Sequence, residues 1–109
     1  MPTMPRLLKP DERDLIGFIL GSGSQLPAQD VLVEEMNDGG MGSLRFVGGP
    51  DRQFGKCVGS AEFNDADGVL VSVALNVDQL GQLFELDIWK VDFSPLKRIA
   101  ALDEFRKSK

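Results

Sequence analysis

The sequence predicts an α+β fold, with an N-terminal amphipathic helix packed on an antiparallel sheet of about five strands. Apolar residues near the N-terminus recur with a helical period, whereas beyond residue 30 they alternate with a period of two. The turn signals Asn37–Gly40 and Asp67-Gly68 separate alternating runs by only a few residues. Parallel strands need crossovers of a dozen or more residues, so these turns favour an antiparallel meander with hairpins. The 109 residues predict one domain, residues 1–109.

The helix is predicted over residues 10–20. Pro10 suits the first turn of a helix, and the carboxylates of Asp11 and Glu12 complement the positive end of the helix dipole. Gly21 begins a glycine- and serine-rich stretch that ends the helix. One face is apolar and must cover another element; it carries Leu15, Phe18 and Ile19.

Five strands and a basic tail are predicted to follow. The strands are expected over residues 31–36, 43–47, 56–64, 69–77 and 83–91, and the tail over 97–109. Every second residue from Val69 to Val77 is apolar, which favours a central strand. In the last strand the alternation predicts one apolar face, made of Phe84, Leu86 and Ile88. A short turn is expected within residues 99–105. The pattern leaves the order of the strands open.

Charge and composition exclude several classes of function. Residues 1–96 carry seven Lys and Arg against 15 Asp and Glu, a net charge of −8, which disfavours nucleic-acid binding. The tail has a net charge of +3 and is interpreted as a solvating terminus. The absence of histidine excludes Ser-His-Asp and Cys-His catalysis and histidine-bound zinc. Lacking an apolar run of 18 residues, a signal sequence and a second cysteine, the chain is expected to be cytoplasmic, with no membrane contact.

Three motifs favour a structural role over a chemical one. Asn64–Gly68 has the spacing of part of a calcium loop but lacks two essential ligands, and is interpreted as a hairpin tip with solubilising acids. Asp38–Ser43 is glycine-rich but lacks the lysine and helix of a phosphate-binding loop, and is interpreted as a flexible hairpin turn. Cys57 is expected to be a half-buried apolar residue. No metal and no cofactor is predicted.

The candidate binding site lies on the polar face of the last strand. Glu85, Asp87 and Trp89 share this face, and Glu62 joins them if its strand lies nearby. With Ser72 and Ala74 on the neighbouring strand, Trp89 would stand over a shallow shelf, and tryptophan is enriched at binding hot spots. Two other interpretations stay open. The acids could simply decorate a solvated face, or the C-terminal segment could cover the tryptophan through Ile99, Leu102 or Phe105.

Three segments resemble a bacterial family of small single-domain proteins that is catalogued as a domain of unknown function. The similarity runs over about residues 6–96, and the segments are Asp38–Gly42, Asn64–Gly68 and Glu85–Lys90. The resemblance implies an uncharacterised cytoplasmic domain and supplies no catalytic residues. A looser likeness to immunity proteins of bacterial toxins favours a binding role.

We therefore expect a protein-interaction module, immunity-like, whose acidic sheet face binds a cationic protein partner through Glu85, Asp87, Trp89 and Glu62. The alternative is a metal-assisted enzyme or small-ligand binder that uses the carboxylates of Glu62, Glu85 and Asp87. The enzyme is disfavoured because the short chain shows no deep-pocket signature. A homodimer built on the open sheet face is a third interpretation.

Overall fold

A computed structural model describes residues 4–21, 31–37, 39–49 and 51–107. Within these ranges the chain forms one α-helix and seven antiparallel strands, so the predicted α+β class is confirmed. In chain order the elements are β1 (Arg6–Leu7), α1 (Pro10–Leu20), β2 (Leu32–Glu35), β3 (Leu44–Phe46), β4 (Phe54–Asn64), β5 (Leu70–Asp78), β6 (Leu83–Lys90), a 3-10 turn (Leu102–Glu104) and β7 (Arg106–Lys107). The helix has its predicted bounds, and each of the five longer strands lies within about two residues of its predicted position. The two-residue strands β1 and β7, one at each edge of the sheet, were not predicted.

The strand order is β1-β2-β3-β6-β5-β4-β7, which corrects the predicted meander. The hairpins β2–β3, β4–β5 and β5–β6 form as expected, but β3 pairs with β6, through Leu44 opposite Leu86, rather than with β4. The alternation of apolar residues determines which face of a strand is buried but carries no information on its neighbour.

Arg52 fixes the segment that connects β3 to β4, two strands that are separated in the sheet by β6 and β5. Its guanidinium donates hydrogen bonds to the carbonyl oxygen of Phe46 (2.7 Å), to the carboxylate of Asp78 (3.0 Å) and to the carbonyl oxygen of Leu83. One side chain therefore joins the end of β3 to the end of β5 and the beginning of β6.

The core lies between α1 and one face of the sheet, called the inner face below. The helix crosses β4 so closely that a Cβ on Gly59 would stand 2.7 Å from Cγ2 of Ile19. The apolar face predicted for the helix is the buried one, and the ladder predicted for β5 is buried from Val71 to Val77. Among the described residues, the apolar side chains with no exposed surface are Leu15, Ile16, Val33, Leu44, Ala61, Phe63, Val71, Leu75 and Leu86.

The C-terminal segment packs on the same inner face. The Phe105 ring lies 5.7 Å from the ring of Phe63 and 5.6 Å from that of Phe18. Upstream, the N–H of Leu96 donates to the carbonyl oxygen of Gly40 at 2.9 Å. The glycine-rich loop connects β2 to β3 as the predicted hairpin turn, and it is also a seat for residues 95–96.

The basic tail, as far as Lys107, also packs against the rest of the protein, in contrast to the predicted solvating terminus. The Lys107 ammonium donates to the carbonyl oxygens of Phe18 (2.8 Å) and Ile19 (3.3 Å), which places a cation at the negative end of α1. Arg106 pairs with Glu62 across the β4–β7 ladder at 3.5 Å. The turn expected within residues 99–105 is the 3-10 turn Leu102–Glu104.

Within the part of the chain that the structure describes, no helix has the length and apolar character needed to traverse a bilayer.

Candidate functional site

The candidate residues lie on the outer face, the side of the sheet opposite α1. The register places Trp89 of β6 opposite Ser72 of β5, and Asp87 opposite Ala74. The small side chains predicted to lie beside the tryptophan are therefore its cross-strand neighbours. Ser72 and Ala74 form the floor of a groove of about 410 Å³, which we call the outer shelf. Its lining residues are Met41, Ser43, Ser72, Val73, Ala74, Asp87, Ile88 and Trp89.

Trp89 is 49% exposed, and the C-terminal segment does not cover it. Of the residues considered as a cover, Phe105 is buried on the inner face, Ile99 packs against the same core, and Leu102 is 53% exposed. That interpretation is therefore wrong. The aromatic neighbour of Trp89 is Phe93, whose ring centroid lies 6.0 Å away at an interplanar angle of 43°.

The charges on the outer face are partly compensated. Glu85 accepts a hydrogen bond from Arg45 at 3.2 Å across the β3–β6 ladder. Asp87 accepts one from the side-chain amide of Asn76 at 3.1 Å. With the Glu62–Arg106 pair, the face carries both signs of charge and is less acidic than its β6 residues alone indicate.

Glu62 does not adjoin the other two carboxylates. It lies opposite Ser72 on β4, with β5 between it and Trp89, so its backbone is about 10 Å from β6 at the usual strand spacing. Across the described residues, no three Asp, Glu or Cys side chains are grouped so that they could hold a metal ion. The structure therefore does not bring Glu62, Glu85 and Asp87 together as the metal-assisted alternative requires.

A second polar cluster, which we call the buried clip, consists of Asp65, Asp67 and Lys90. The Lys90 ammonium is fully buried on the inner face, 2.8 Å from a carboxylate oxygen of Asp65 and 2.7 Å from one of Asp67. Asp65 also accepts hydrogen bonds from the backbone N–H groups of Lys97 (2.8 Å) and Arg98 (3.1 Å). The predicted hairpin tip is present, but its acids join the tip to β6 and to the C-terminal segment instead of solubilising it.

The contacts within the clip stabilise its charges. Burial acts to raise the pKa of Asp65, yet the hydrogen bonds from Lys90 and from backbone N–H groups lower it to about 2. Burial acts to lower the pKa of Lys90, and its bonds to the two aspartates raise it above the ordinary value. The hydrogen bond from Lys90 lowers the pKa of Asp67. All three groups are therefore ionised at neutral pH.

Two residues of this region, Lys90 and Phe93, were not predicted from the sequence. Lys90 could have been found from the sequence, because it continues the alternation of Phe84, Leu86 and Ile88 and therefore falls on the apolar face. A charge on that face needs partners. Phe93 could not have been found in this way, since it follows the strand and reaches Trp89 only through a turn closed by its N–H and the carbonyl oxygen of Lys90 at 2.8 Å.

Cys57, expected to be half-buried, is exposed. It lies in the first half of β4, where the residues from Phe54 to Val58 are all exposed. Its thiol contacts the carbonyl oxygen of Gly59 at 3.3 Å.

Comparison with known proteins places the chain in a family. Residues 5–100 match the family described as "Domain of unknown function (DUF6984)", and the chain belongs to that family, as its resemblance to a domain of unknown function indicated. The searches of curated proteins and of solved structures returned no match.

Proposed function

For this member of a family of unknown function, we propose a protein-binding role in which the outer face receives a cationic protein partner. Trp89 is the central contact, Glu85 and Asp87 supply negative charge beside it, and Glu62 lies at the margin. The observation that carries the proposal is the half-exposed tryptophan beside a groove floored by Ser72 and Ala74. An aromatic anchor next to space that a partner side chain can fill is the usual composition of a hot spot.

Electrostatics support a cationic partner. The whole chain has a net charge of −5. The outer face carries more acids than arginines. Arg45 pairs with Glu85 and Arg106 pairs with Glu62. The four acids are Glu34, Glu62, Glu85 and Asp87. A surface of this kind attracts a basic protein and accelerates its association at low salt.

The site variant that tests this proposal combines Trp89→Ala, Glu85→Ala and Asp87→Ala. A matched control combines Leu102→Ala, Asp103→Ala and Glu104→Ala on the 3-10 turn, which also removes two acids and one exposed apolar side chain. Both variants are expected to keep the parent's circular dichroism spectrum, because the substituted side chains lie outside the buried core.

Affinity capture from a lysate of the source organism at low salt, followed by mass spectrometry, identifies proteins held by the parent and by the control but not by the site variant. A basic protein of this kind is then purified and its binding measured directly. We expect the site variant to lose at least about thirtyfold in affinity, the loss that defines one hot spot. Equal binding by all three proteins would contradict the proposal.

We also propose that this binding takes place in the cytoplasm. Cys57 is the only cysteine of the chain, and its exposed thiol is compatible with a compartment that keeps thiols reduced.

A further inference from the structure

Phe93 adopts a backbone conformation that its own side chain disfavours. Its φ angle is +63°, in the left-handed region that bulky residues avoid because Cβ crowds the following carbonyl group. The side chain gains little burial in exchange, since it is 69% exposed and lies outside the hydrophobic core. A disfavoured backbone conformation that holds an exposed ring is a feature associated with functional positions.

The surrounding contacts fix the turn that carries this ring. The Phe93 N–H donates to the carbonyl oxygen of Lys90, and the side chain of Lys90 is itself held in the buried clip. On the other side, the Asp92 carboxylate accepts hydrogen bonds from the backbone N–H (3.0 Å) and the hydroxyl (2.7 Å) of Ser94. These contacts direct the ring of Phe93 against the indole of Trp89.

The two aromatic rings have different positions relative to the outer shelf. Trp89 lines the shelf, whereas Phe93 does not, so Phe93 contacts the indole from outside the groove. Beyond the indole, the shelf is lined by Ser72 and Ala74 of β5 and by Met41 and Ser43, which precede β3. The next side chain on this face of β6 is that of Asp87, about 7 Å from Trp89 along the strand. The indole of Trp89 and the carboxylate of Asp87 thus border one shallow space.

An arginine side chain fits these borders better than other side chains. A guanidinium is planar, stacks on aromatic faces, and donates hydrogen bonds in its own plane toward a carboxylate. A lysine ammonium is a compact, strongly hydrated charge without a flat face. The acidic balance of the outer face favours either cation over a neutral side chain.

We propose that the outer shelf takes one arginine side chain of the partner protein, stacked on the indole of Trp89 and directed toward Asp87, with Phe93 as the positioning residue that holds the indole. This inference rests on the proposed function and specifies the chemistry that its site recognises.

The first test uses N-acetylarginine amide as the probe and N-acetylcitrulline amide as its neutral analogue of the same shape. Trp89 is the only tryptophan and the chain has no tyrosine, so intrinsic fluorescence reports on the shelf directly. We expect a saturable change with the arginine amide, at an affinity about threefold or more above that of the citrulline amide. Equal responses to the two probes would overturn the inference, and a stronger response to N-acetyllysine amide would overturn the preference for arginine.

Two variants separate positioning from a merely structural role. Phe93→Gly suits the left-handed backbone and is expected to keep the melting temperature, to increase the mobility of Trp89 in fluorescence anisotropy and to weaken arginine binding about threefold. Leu80→Ala, at a residue 77% exposed in the β5–β6 turn, is the control and should change neither measurement. Unchanged arginine affinity in Phe93→Gly would refute the positioning role.

The captured partner distinguishes this inference from the proposed function. If Glu85, Asp87 and Trp89 are needed for partner binding but Phe93→Gly binds as the parent does, the binding face stands and the role of Phe93 is wrong. If the site variant itself binds as the parent does, the proposed function is wrong and the arginine inference fails with it.

Discussion

Lys90 shows how a single residue can join distant parts of a small protein. Its ammonium lies at the centre of the buried clip and also contacts the carbonyl oxygen of Pro95 at 3.3 Å. The hairpin tip after β4, the end of β6 and the start of the C-terminal segment therefore meet at one charge. The sequence indicates that Lys90 falls on the apolar face, but it does not identify the acids that compensate it, because they lie in the turn between β4 and β5, at least 23 residues away in the chain.

Acid should weaken the clip through Asp65. The pKa of this carboxyl is about 2 in the folded protein, below the ordinary value of 3.8 expected for the unfolded chain. The unfolded state therefore binds the proton more readily, so the stabilisation is complete above about pH 5 and is lost as the pH falls through 3.8 toward 2. The stability of the parent is expected to fall over this interval.

Asp65→Asn is the variant that tests this account. It should lower the free energy of unfolding at pH 7 by about 3 kcal/mol, because it removes one partner of a buried ion pair. It should also flatten the dependence of stability on pH between 4 and 2. Urea unfolding at pH 7, 4 and 2.5 measures both effects, with the exposed Asp103→Asn as the control. Parallel pH profiles for the parent and Asp65→Asn would contradict the assignment.

At the scale of elements, the sequence predicts local structure well and long-range pairing poorly. The helix over residues 10–20 and the five longer strands follow from periodicity and turn signals, because these patterns are local. The pairing of β3 with β6 and the docking of β7 depend on contacts between distant residues, and two-residue strands are too short to show any period.

The candidate site shows the same difference between local patterns, which the sequence predicts, and long-range contacts, which it does not. Trp89, Asp87, Ser72 and Ala74 were placed together because strand alternation and one hairpin are sufficient to do so. Glu62 was expected beside them only if its strand lay nearby, and β5 lies between Glu62 and β6. Phe93 was not predicted, because a turn brings it back toward Trp89.

The seat formed by the glycine-rich loop allows a matched test at this scale. Gly42 has a φ of +97°, and a Cβ there would stand 3.1 Å from Cδ2 of Leu96, whereas Gly39 has a φ of +77° and nothing within 4 Å. Both alanine variants incur the left-handed backbone cost of about 1 kcal/mol. Gly42→Ala should lose a further ~1 kcal/mol through overpacking against the C-terminal segment. Thermal unfolding compares the two, and equal losses would show that the loop is not a seat.

At the scale of the whole molecule, the two edges of the sheet differ. At one edge the Arg6 side chain bonds to Glu12 at 2.7 Å and to Glu35 at 3.0 Å, which fixes β1 between the helix and β2. At the other, β7 pairs with only Ala61 and Glu62 of β4. Among the described residues, no strand pairs with the rest of that edge, from Phe54 to Ser60.

Two features protect this open part of the edge. The ladder between β4 and β5 has register shifts between Phe54 and Lys56 and between Cys57 and Gly59, and bulges of this kind disrupt the flat geometry that another strand would need. Lys56 also places a charge between the exposed side chains of Phe54 and Val58. Charged side chains on edge strands are a common defence against edge-to-edge association.

Lys56→Ile should therefore promote self-association. The substitution removes the only charge among the exposed residues from Phe54 to Val58, so light scattering is expected to show a mass that rises with concentration, against 11.9 kDa for a monomeric parent. Lys97→Ile removes the same charge from an exposed residue outside the sheet and should stay at the parent's mass. A parent that is already dimeric would support the homodimer on the open sheet face instead.

The buried clip also has a consequence for recognition on the opposite side of the sheet. Lys90 and Trp89 are adjacent on β6, so the contacts that immobilise the lysine side chain below also hold the backbone that carries the tryptophan above. A binding surface whose backbone is already ordered loses little conformational entropy when a partner arrives. The molecule therefore presents a preorganised surface, and more of the contact energy gained at the outer shelf is retained as affinity.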